Sequence, residues 1–467
     1  MAKKKDSAAT TLDKRLDALR GQAKAELVAL LAELAATNSE AEERLARHTL
    51  GADPARLAAE FRTRLQAWKR SRRFLGRSAA ADFSRALEAW LDEVERELLP
   101  LDPARAQALA EAFLRNDERF FEQADDSDGA IGDAIRAGCQ LWLRAAKAQP
   151  NRDATKWIER VYALVNADEY GAREALLKHS DLLFDEAGLR ALASRFEADL
   201  TQALHARGPA ERHGHAVYRA AAAVGLIADA LRDPDLSTRT TLRYSPNPNA
   251  LQKERFAERY MRFGRPREAL AWLDGEWGYR EEGRERLLAE AYAAMGDTAR
   301  LRAVRQALFE RTGSASDFEA WRESLAPADR ANATEVARER AAIHDDPITG
   351  ARLLFTLGDD AAAEVLLLAR HATLQGGDYD RLVPLAQALE TKGRPLGTIV
   401  CHRALLVAIL TRAYARAYGH AAEYLQALRR LDSRVDDYGS LTPHQAFELS
   451  IRSTHGRKVS FWNRTRA

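Results

Sequence analysis

Residues 260–264 read Tyr-Met-Arg-Phe-Gly, and residues 292–296 read Tyr-Ala-Ala-Met-Gly, 32 residues further along the chain. An aromatic residue four positions before a glycine suits a helix whose end is closed by glycine in a left-handed conformation. A further glycine, Gly358, follows Leu-Leu-Phe, and the tripeptide Gly-Arg-Pro at 264–266 recurs at 393–395. Proline after such a turn is suited to the first position of the next helix. The pattern therefore predicts helix, tight turn and helix in succession.

This spacing resembles the tetratricopeptide repeat, whose helix pairs recur about every 34 residues. Ala269 stands where the repeat needs a small residue for close helix contact, and the equivalent position of the next repeat is Leu301. The resemblance is partial, because the typical Trp, first-helix Gly and terminal Pro are mostly absent. It implies antiparallel helix pairs, stacked one after another, in the C-terminal half of the chain.

The composition extends the helical prediction to the whole chain. Ala, Leu, Arg and Glu dominate the 467 residues, and all four are strong helix formers, whereas alternating strand patterns are sparse. Leucines recur at helical spacing from Leu12 to Leu19 and from Leu27 to Leu34, forming one apolar stripe each. A single core stops growing at roughly 250–300 residues. We therefore predict an all-α fold, an α-solenoid-like array of antiparallel helix pairs.

Helix starts and one helix-free stretch predict the domain organisation. A residue with a capping oxygen precedes proline at four predicted helix starts, Asp53-Pro54, Asp102-Pro103, Asp346-Pro347 and Thr442-Pro443. Residues 243–249 contain two prolines and two asparagines and cannot be helix interior. We predict a disordered basic tail at 1–11, an N-terminal helical domain at 12–242 and a tetratricopeptide-like helical repeat domain at 250–467.

Charge and cysteine content argue against several classes of protein. Charged residues make up 30% of the chain and the net charge is only +2, which favours neither disorder nor a globally basic nucleic-acid binder. Cys139 and Cys401 cannot form a disulfide framework, and we expect buried thiols in a reducing compartment. The basic start lacks the apolar stretch of a secretory signal, and His402 and Arg403 interrupt the apolar run at 399–410. These features predict a soluble, cytoplasmic protein without membrane partners.

Two stretches could supply metal ligands. Residues 125–133 hold four aspartates around Gly129, but an EF-hand alignment puts residues that cannot bind calcium at positions 1 and 12. We predict instead a turn in which Ser127 or Asp128 caps the following helix. The His-Gly-His sequence at 213–215 lacks a third ligand at a diagnostic spacing. No nucleotide-binding or nucleophile motif is present, so we predict no catalytic residue, metal ligand or cofactor.

The densest basic cluster lies at residues 62–77, where cations alternate with Phe61, Trp68 and Phe74. Such a mixture can contact phosphates and stack bases. On a helix, however, Phe61 and Trp68 share one apolar stripe with Leu65, which leaves the cations on a solvated face. A solvated face, an acidic protein partner and nucleic acid are the three interpretations. The candidate partner-binding residues here are Arg62, Arg70, Arg72 and Arg73.

The C-terminal segment carries a second resemblance. Residues 415–425, Phe447, the stretch His-Gly-Arg-Lys at 455–458 and the pair Phe-Trp at 461–462 resemble the closing segment of an uncharacterised bacterial helical-repeat family, a domain of unknown function. Residues 125–133 resemble a second signature of that family. The resemblance covers most of the chain and implies a helical fold, and it supplies no activity.

The C-terminal cations and aromatics allow two interpretations. Cations at a helix terminus are stabilised by the helix dipole, and Phe461 and Trp462 would cover the exposed core of the last repeat. The alternative is a site for an anionic ligand or a peptide. The candidate partner-binding residues in this segment are Tyr418, His420, His455 and Lys458.

The sequence favours a non-enzymatic scaffold or adaptor that binds an unknown protein partner through a helical-repeat groove. An enzyme with an unrecognised site between helices is the first alternative. A nucleic-acid-binding regulator that uses the basic face from Arg62 to Arg77 is the second. The three hypotheses differ in the feature that each requires: an apolar groove, a deep polar pocket or an unpaired basic surface.

Overall fold

The computed structural model describes residues 19, 22–38, 41–42, 45, 53–150, 153–206 and 214–465. These residues form α-helices, short 3-10 segments and turns, and no strand. One isolated parallel bridge joins Leu75 to Ala124. The chain divides into two compact units, with the boundary between Asn247 and Pro248. The prediction of an all-α chain built from successive helix pairs is confirmed.

The first unit contains eleven described α-helices, and a π-helical segment, Val94–Leu98, continues the third. Their bounds are α1 Lys24–Thr37, α2 Pro54–Arg70, α3 Arg77–Glu93, α4 Pro103–Leu114, α5 Asp117–Glu122, α6 Ala130–Lys147, α7 Ala154–Asn166, α8 Ala175–Lys178, α9 Glu186–His205, α10 His215–Leu231 and α11 Pro234–Tyr244.

Helix α6 lies at the centre of the first unit. It packs against α3 and α4 before it in the chain and against α8 after it. Trp90 of α3 is fully buried, stacks on Phe113 of α4 at a centroid distance of 5.5 Å, and donates its indole N–H to the carbonyl oxygen of Phe61. Aromatic side chains thus join α2, α3 and α4, because each buries a large apolar area.

A buried ion pair links α5 to the segment that precedes α8. Arg173 and Asp117 are 5% and 2% exposed, and the guanidinium donates from Nε and Nη2 to the two carboxylate oxygens at 2.6 and 2.5 Å. Nη1 of Arg173 also donates to the carbonyl oxygen of Leu164. Parallel hydrogen bonds of this kind offset the cost of removing both charges from water.

The second unit contains thirteen described α-helices. Their bounds are α12 Ala250–Arg262, α13 Pro266–Leu270, α14 Glu281–Met295, α15 Thr298–Thr312, α16 Ala315–Glu323, α17 Arg330–Ala342, α18 Pro347–Thr356, α19 Asp360–Ala369, α20 Tyr379–Thr391, α21 Pro395–Thr411, α22 Tyr418–Asp432, α23 His444–His455 and α24 Val459–Arg464. Consecutive helices pack on one another, notably α12 on α13, α14 on α15, α18 on α19, and α20 on α21.

The predicted glycine turns are confirmed at four helix ends. Gly264, Gly296, Gly358 and Gly393 have φ between 70° and 79°, in the left-handed region. In each turn the amide after the glycine donates to the carbonyl five residues before it, as from Arg265 to Tyr260 at 2.9 Å. This bond satisfies a carbonyl in the last helical turn, and the next helix begins within two residues of the glycine.

Three of the four predicted proline starts are confirmed. Pro54, Pro103 and Pro347 are the first residues of α2, α4 and α18, and the preceding aspartate accepts backbone hydrogen bonds in each case. The fourth was wrong, because Pro443 is extended at ψ 153° and occupies the N-cap position before α23, without a side-chain cap.

Helix α1 also departs from expectation. The apolar stripe from Leu27 to Leu34 forms a helix, but α1 buries none of its side chains, and Leu31 and Leu34 are each 49% exposed. Leu12 and the predicted tail at 1–11 lie outside the described residues. Helical periodicity therefore predicted this helix without predicting its burial.

We expect Arg173→Met to lower the free energy of unfolding by about 3–5 kcal/mol, because it leaves the Asp117 carboxylate buried without its partner. Urea unfolding followed by tryptophan fluorescence measures the effect. The double variant Arg173→Met/Asp117→Leu should recover most of the loss. Arg85→Met removes an ion pair with Asp82 whose side chains are 70% and 68% exposed, and should cost less than about 1 kcal/mol. Equal losses from Arg173→Met and Arg85→Met would contradict this account.

Candidate functional site

The second unit contains a groove of about 960 Å³ between α20, α21 and α22, which we call the α20–α22 groove. Its lining is mostly apolar and comes from all three helices, with Val383 on α20, Ile409 on α21 and Tyr424 on α22. The segment before α20 closes one side. A Cβ atom at Gly376 would clash with the carbonyl oxygen of Ala404, so glycine allows this segment to lie directly against α21.

Tyrosines and charged side chains complete the lining of the α20–α22 groove. Tyr379 and Tyr414 line it and remain 68% and 56% exposed. His420 also lines it, and its Nδ1 lies 3.3 Å from Oε2 of Glu423. Asp380 and Arg412 add one charge of each sign. An apolar floor with a mixed-charge border suits an amphipathic ligand.

Two backbone features of the α20–α22 groove break ordinary helix rules. Pro384 stands inside α20 and has no amide hydrogen, so the carbonyl oxygen of Asp380 lacks its usual donor four residues later. Ala413, which follows α21, has a φ of 54° and makes the same kind of turn as the four glycines. The amide of the next residue, Tyr414, donates to the carbonyl oxygen of Ile409 at 3.4 Å. A left-handed alanine costs about 1 kcal/mol. All of these residues except Ala413 line the groove.

A second, more polar cavity of about 480 Å³ lies between α22 and α23, and we call it the polar pocket. Its lining residues are Arg429, Asp432, His444, Gln445, Glu448, Leu449 and Arg452. Arg429 donates from Nε and Nη2 to the two oxygens of Glu448 at 3.0 and 2.8 Å, and Arg452 donates to Oε1 at 2.9 Å. One carboxylate therefore serves two guanidinium groups.

Hydrogen bonding and burial shift several pKa values at the polar pocket. The hydrogen bonds from Arg429, followed by those from Arg452, lower the pKa of Glu448 to about 2 despite partial burial. Burial, followed by the hydrogen bond to Asp432, raises the pKa of Tyr438 to about 12. Burial lowers the pKa of His444, so its imidazole is neutral at pH 7. Perturbed groups beside a cavity are typical of binding sites.

The basic cluster of the first unit is exposed, as the sequence predicted. Phe61 is buried and Trp68 half-buried, which places the apolar stripe of α2 inward. Phe74, by contrast, is 64% exposed. Arg64 pairs with Glu93, and Arg77 pairs with Asp128. Five cations have no ion-pair partner in the described part of the chain: Arg62, Lys69, Arg70, Arg72 and Arg73.

The candidate residues of the C-terminal segment do not form one site. Tyr418 is buried against Phe461, whereas His420 lines the α20–α22 groove. His455 and Lys458 lie at the turn between α23 and α24, where the indole of Trp462 donates to the carbonyl oxygen of His455. Phe461 and Trp462 are buried in the cluster around α22, as the packing interpretation predicts.

The aspartates at 125–133 form a helix cap, but the predicted capping residues were wrong. Asp126 accepts the amides of Ile131 and Gly132 at the start of α6, at 2.7 and 3.2 Å. Asp128 instead pairs with Arg77, because a long-range cation competes for its carboxylate. His213 lies outside the described residues, and His215 begins α10.

The described residues also bear on metal binding, membrane spanning and thiol chemistry. No group of three or more His, Cys, Asp or Glu side chains in the described ranges is arranged to hold a metal. None of the described helices has both the length and the apolar character needed to cross a bilayer. Cys139 and Cys401 are buried free thiols, as expected, and burial raises both pKa values, that of Cys401 to about 12.

Comparison with known families gives a match over most of the chain. A family model described as a family of unknown function (DUF6880) matches residues 7–464. The chain belongs to this family. The match covers nearly the whole length, so both units, the α20–α22 groove and the polar pocket lie inside it. No curated protein and no solved structure matches the chain.

Family membership agrees with the resemblance drawn from the C-terminal segment, and it assigns no activity. The sequence did not identify the groove-lining residues of α20 or the polar pocket. One sequence signal near the polar pocket was present, since Arg403 interrupts an apolar run. In the structure its guanidinium contacts Tyr438 and Phe447. A cation within an apolar stripe indicates either a buried partner or a ligand.

Glu448 makes the stability of the folded chain depend on pH. Because its pKa is depressed in the folded chain, its contribution to stability is present above the unfolded pKa of about 4.5 and is lost as pH falls towards 2. The shift corresponds to about 3 kcal/mol, which partial exposure to water reduces to about 2 kcal/mol. We expect Glu448→Gln to lower the urea-unfolding free energy by that amount at pH 7 and by about half of it or less near pH 3.

Glu423→Gln is the matched control, because Glu423 lies on α22 and its side chain is 70% exposed. We expect it to change stability by less than about 0.5 kcal/mol at either pH. A loss in Glu448→Gln that is the same size at pH 3 and pH 7 would show that the carboxylate charge is not responsible.

Proposed function

We propose that this protein is a non-enzymatic, cytoplasmic scaffold that binds an amphipathic helix of a protein partner in the α20–α22 groove. The observation that supports this proposal is the apolar lining of the groove, bordered by the exposed Tyr379 and Tyr414. Exposed apolar surface is costly in water and marks interaction sites when it is contiguous. Tyrosine is enriched among residues that dominate binding energy.

A helix is the proposed occupant because the groove offers contacts of two kinds. Val383, Ile409 and Tyr424 can receive apolar side chains spaced three and four residues apart along one helical face. Asp380, Arg412 and Glu423 can pair with charges of either sign beside that face. We also propose that α20 and α21 form a tetratricopeptide-like helix pair, because stacked helix pairs of that kind form binding grooves.

A displayed library of helical peptides, selected on the full chain, tests this function. We expect enriched peptides with apolar residues at positions i, i+3, i+4 and i+7, and at least about tenfold weaker binding to Val383→Asp, measured by calorimetry. A carboxylate at residue 383 would be buried against the apolar face of the peptide.

Val365→Asp is the matched control for this experiment. Val365 lies on α19, is 65% exposed and does not line the groove. It receives the same chemical change, so it should bind the selected peptides as the wild type does. Circular dichroism confirms that each variant is folded. No enrichment, or equal losses in both variants, would contradict the proposed function.

A second candidate function is nucleic-acid binding by the basic cluster of the first unit. The five unpaired cations and the exposed Phe74 favour it, since phosphates neutralise cations and bases stack on aromatic rings. The alternative is a solvated helix end, because Lys69 and Arg70 lie in the last turn of α2, where the helix dipole favours cations.

Fluorescence anisotropy with labelled single-stranded RNA and duplex DNA tests this candidate. Binding should weaken by about 10³-fold or more between 50 and 200 mM salt if roughly six phosphates are contacted. The triple variant Arg70→Glu/Arg72→Glu/Arg73→Glu should abolish binding, and Arg434→Glu in the second unit should not. Absence of binding at low salt rules this candidate out.

A further inference from the structure

One arginine of the second unit is buried with an unsatisfied hydrogen-bonding edge. Arg403 of α21 is 9% exposed, and its Nε and Nη2 have no hydrogen-bond partner in the described part of the chain. Its guanidinium lies over the ring of Phe447 at 4.4 Å and near the ring of Tyr438 at 5.6 Å. Aromatic contact stabilises the cation, but it leaves both N–H donors without an acceptor.

The same edge binds a carboxylate at five other arginines in the described part of the chain. In each case Nε and Nη2 donate to the two oxygens of one Asp or Glu, between 2.5 and 3.0 Å. These pairs are Arg77 with Asp128, Arg144 with Glu95, Arg173 with Asp117, Arg311 with Glu285, and Arg429 with Glu448. This planar, bidentate arrangement matches the carboxylate group better than any other common acceptor.

A second buried polar side chain lies beside Arg403. His444 is 6% exposed, lines the polar pocket, and has no hydrogen bond at either ring nitrogen. Its Nε2 lies 3.4 Å from Oε2 of Glu448, but in an orientation that does not make a hydrogen bond. Buried polar groups in native proteins nearly always have partners. Two neighbouring exceptions, of which His444 lines the polar pocket, therefore point to a ligand.

The charges around the polar pocket select the sign of that ligand. The charges of the lining residues Arg429, Arg452, Asp432 and Glu448 cancel. Arg403 does not line the pocket, but its charge acts on the lining His444 and adds one positive charge beside the cavity. The phenolic O–H of Tyr438 already donates to Asp432, and Glu448 already accepts from two arginines. One positive charge is left unneutralised, which favours a monoanionic group.

We propose that the polar pocket binds a small molecule through a carboxylate that pairs with the Nε–Nη2 edge of Arg403, next to His444. The cavity volume of about 480 Å³ suits a small metabolite rather than a folded partner. The edge is covered in this conformation, so binding requires the Arg403 side chain or its neighbours to rotate. The proposal does not depend on the α20–α22 groove.

Thermal unfolding of the full chain with acetate, succinate or phosphate, against sodium chloride at equal ionic strength, tests the proposal. A carboxylate that binds the folded chain raises its Tm by mass action, and we expect a rise of about 2 °C or more at about 50 mM. Arg403→Met should lose this response, whereas Arg434→Met, an exposed arginine outside the pocket, should keep it.

Arg403→Met also has a signature without added carboxylate. Methionine keeps an unbranched aliphatic side chain beside the rings of Tyr438 and Phe447, and it removes a cation that is buried away from water. The variant should therefore have a Tm equal to or above that of the wild type. A clearly lower Tm would mean that Arg403 is structural. Arg403→Lys keeps the charge but not the planar edge, and it should lose the carboxylate response while remaining folded.

The Nε–Hε nuclear magnetic resonance signal of Arg403, assigned by its loss in Arg403→Met, reports on the contact directly. We expect it to shift with acetate or succinate and not with chloride. The proposal is overturned if no carboxylate changes the Tm or this signal, if Arg403→Met responds as the wild type does, or if phosphate alone acts.

Discussion

The second unit depends on one hydrogen bond repeated at successive helix ends. The amide after a left-handed residue donates to the carbonyl five residues earlier, and this reverses the chain so that the next helix folds back. Glycine supplies the left-handed conformation at Gly264, Gly296, Gly358 and Gly393, because it has no Cβ to clash with the preceding turn. Each reversal places two apolar helix faces in contact, and the core of the second unit is built from such contacts.

Arginine provides a second set of constraints, between elements distant in sequence. Paired guanidinium edges join the π-helical segment after α3 to α6, and α5 to the segment before α8. They also join α14 to α15 and α22 to α23. Because each edge is planar and doubly bonded, it sets orientation as well as proximity. The abundance of arginine in this chain therefore has structural consequences. Arg403 differs from these pairs because its Nε and Nη2 are buried and have no hydrogen-bond partner in the described part of the chain.

The two candidate sites lie where local rules are broken, which is where strain and unsatisfied groups are expected in functional proteins. A proline inside α20 and a left-handed alanine after α21 shape the α20–α22 groove. A buried cation and a buried imidazole without hydrogen bonds lie beside the polar pocket. Both sites use α22 as a wall, so the packing that stabilises this helix also positions lining side chains of both.

The sequence by itself determined the features that depend on neighbouring residues. Helical periodicity, the glycine turns and three aspartate–proline starts were all readable, because a helix end is decided within about four residues. Helix α1 shows the limit of this reasoning, since its leucines predicted a helix but not its exposure.

Only the tertiary structure decided which side chains share a surface. Asp128 does not cap α6 as expected, because its carboxylate pairs with Arg77, which is distant in sequence. Tyr418 and His420 are two residues apart, yet one is buried and the other lines the α20–α22 groove. The polar pocket joins α22 to α23, with Arg403 of α21 beside it, and no local pattern specifies that meeting. Burial and long-range pairing arise from the packing of whole helices, and a single sequence window does not contain that information.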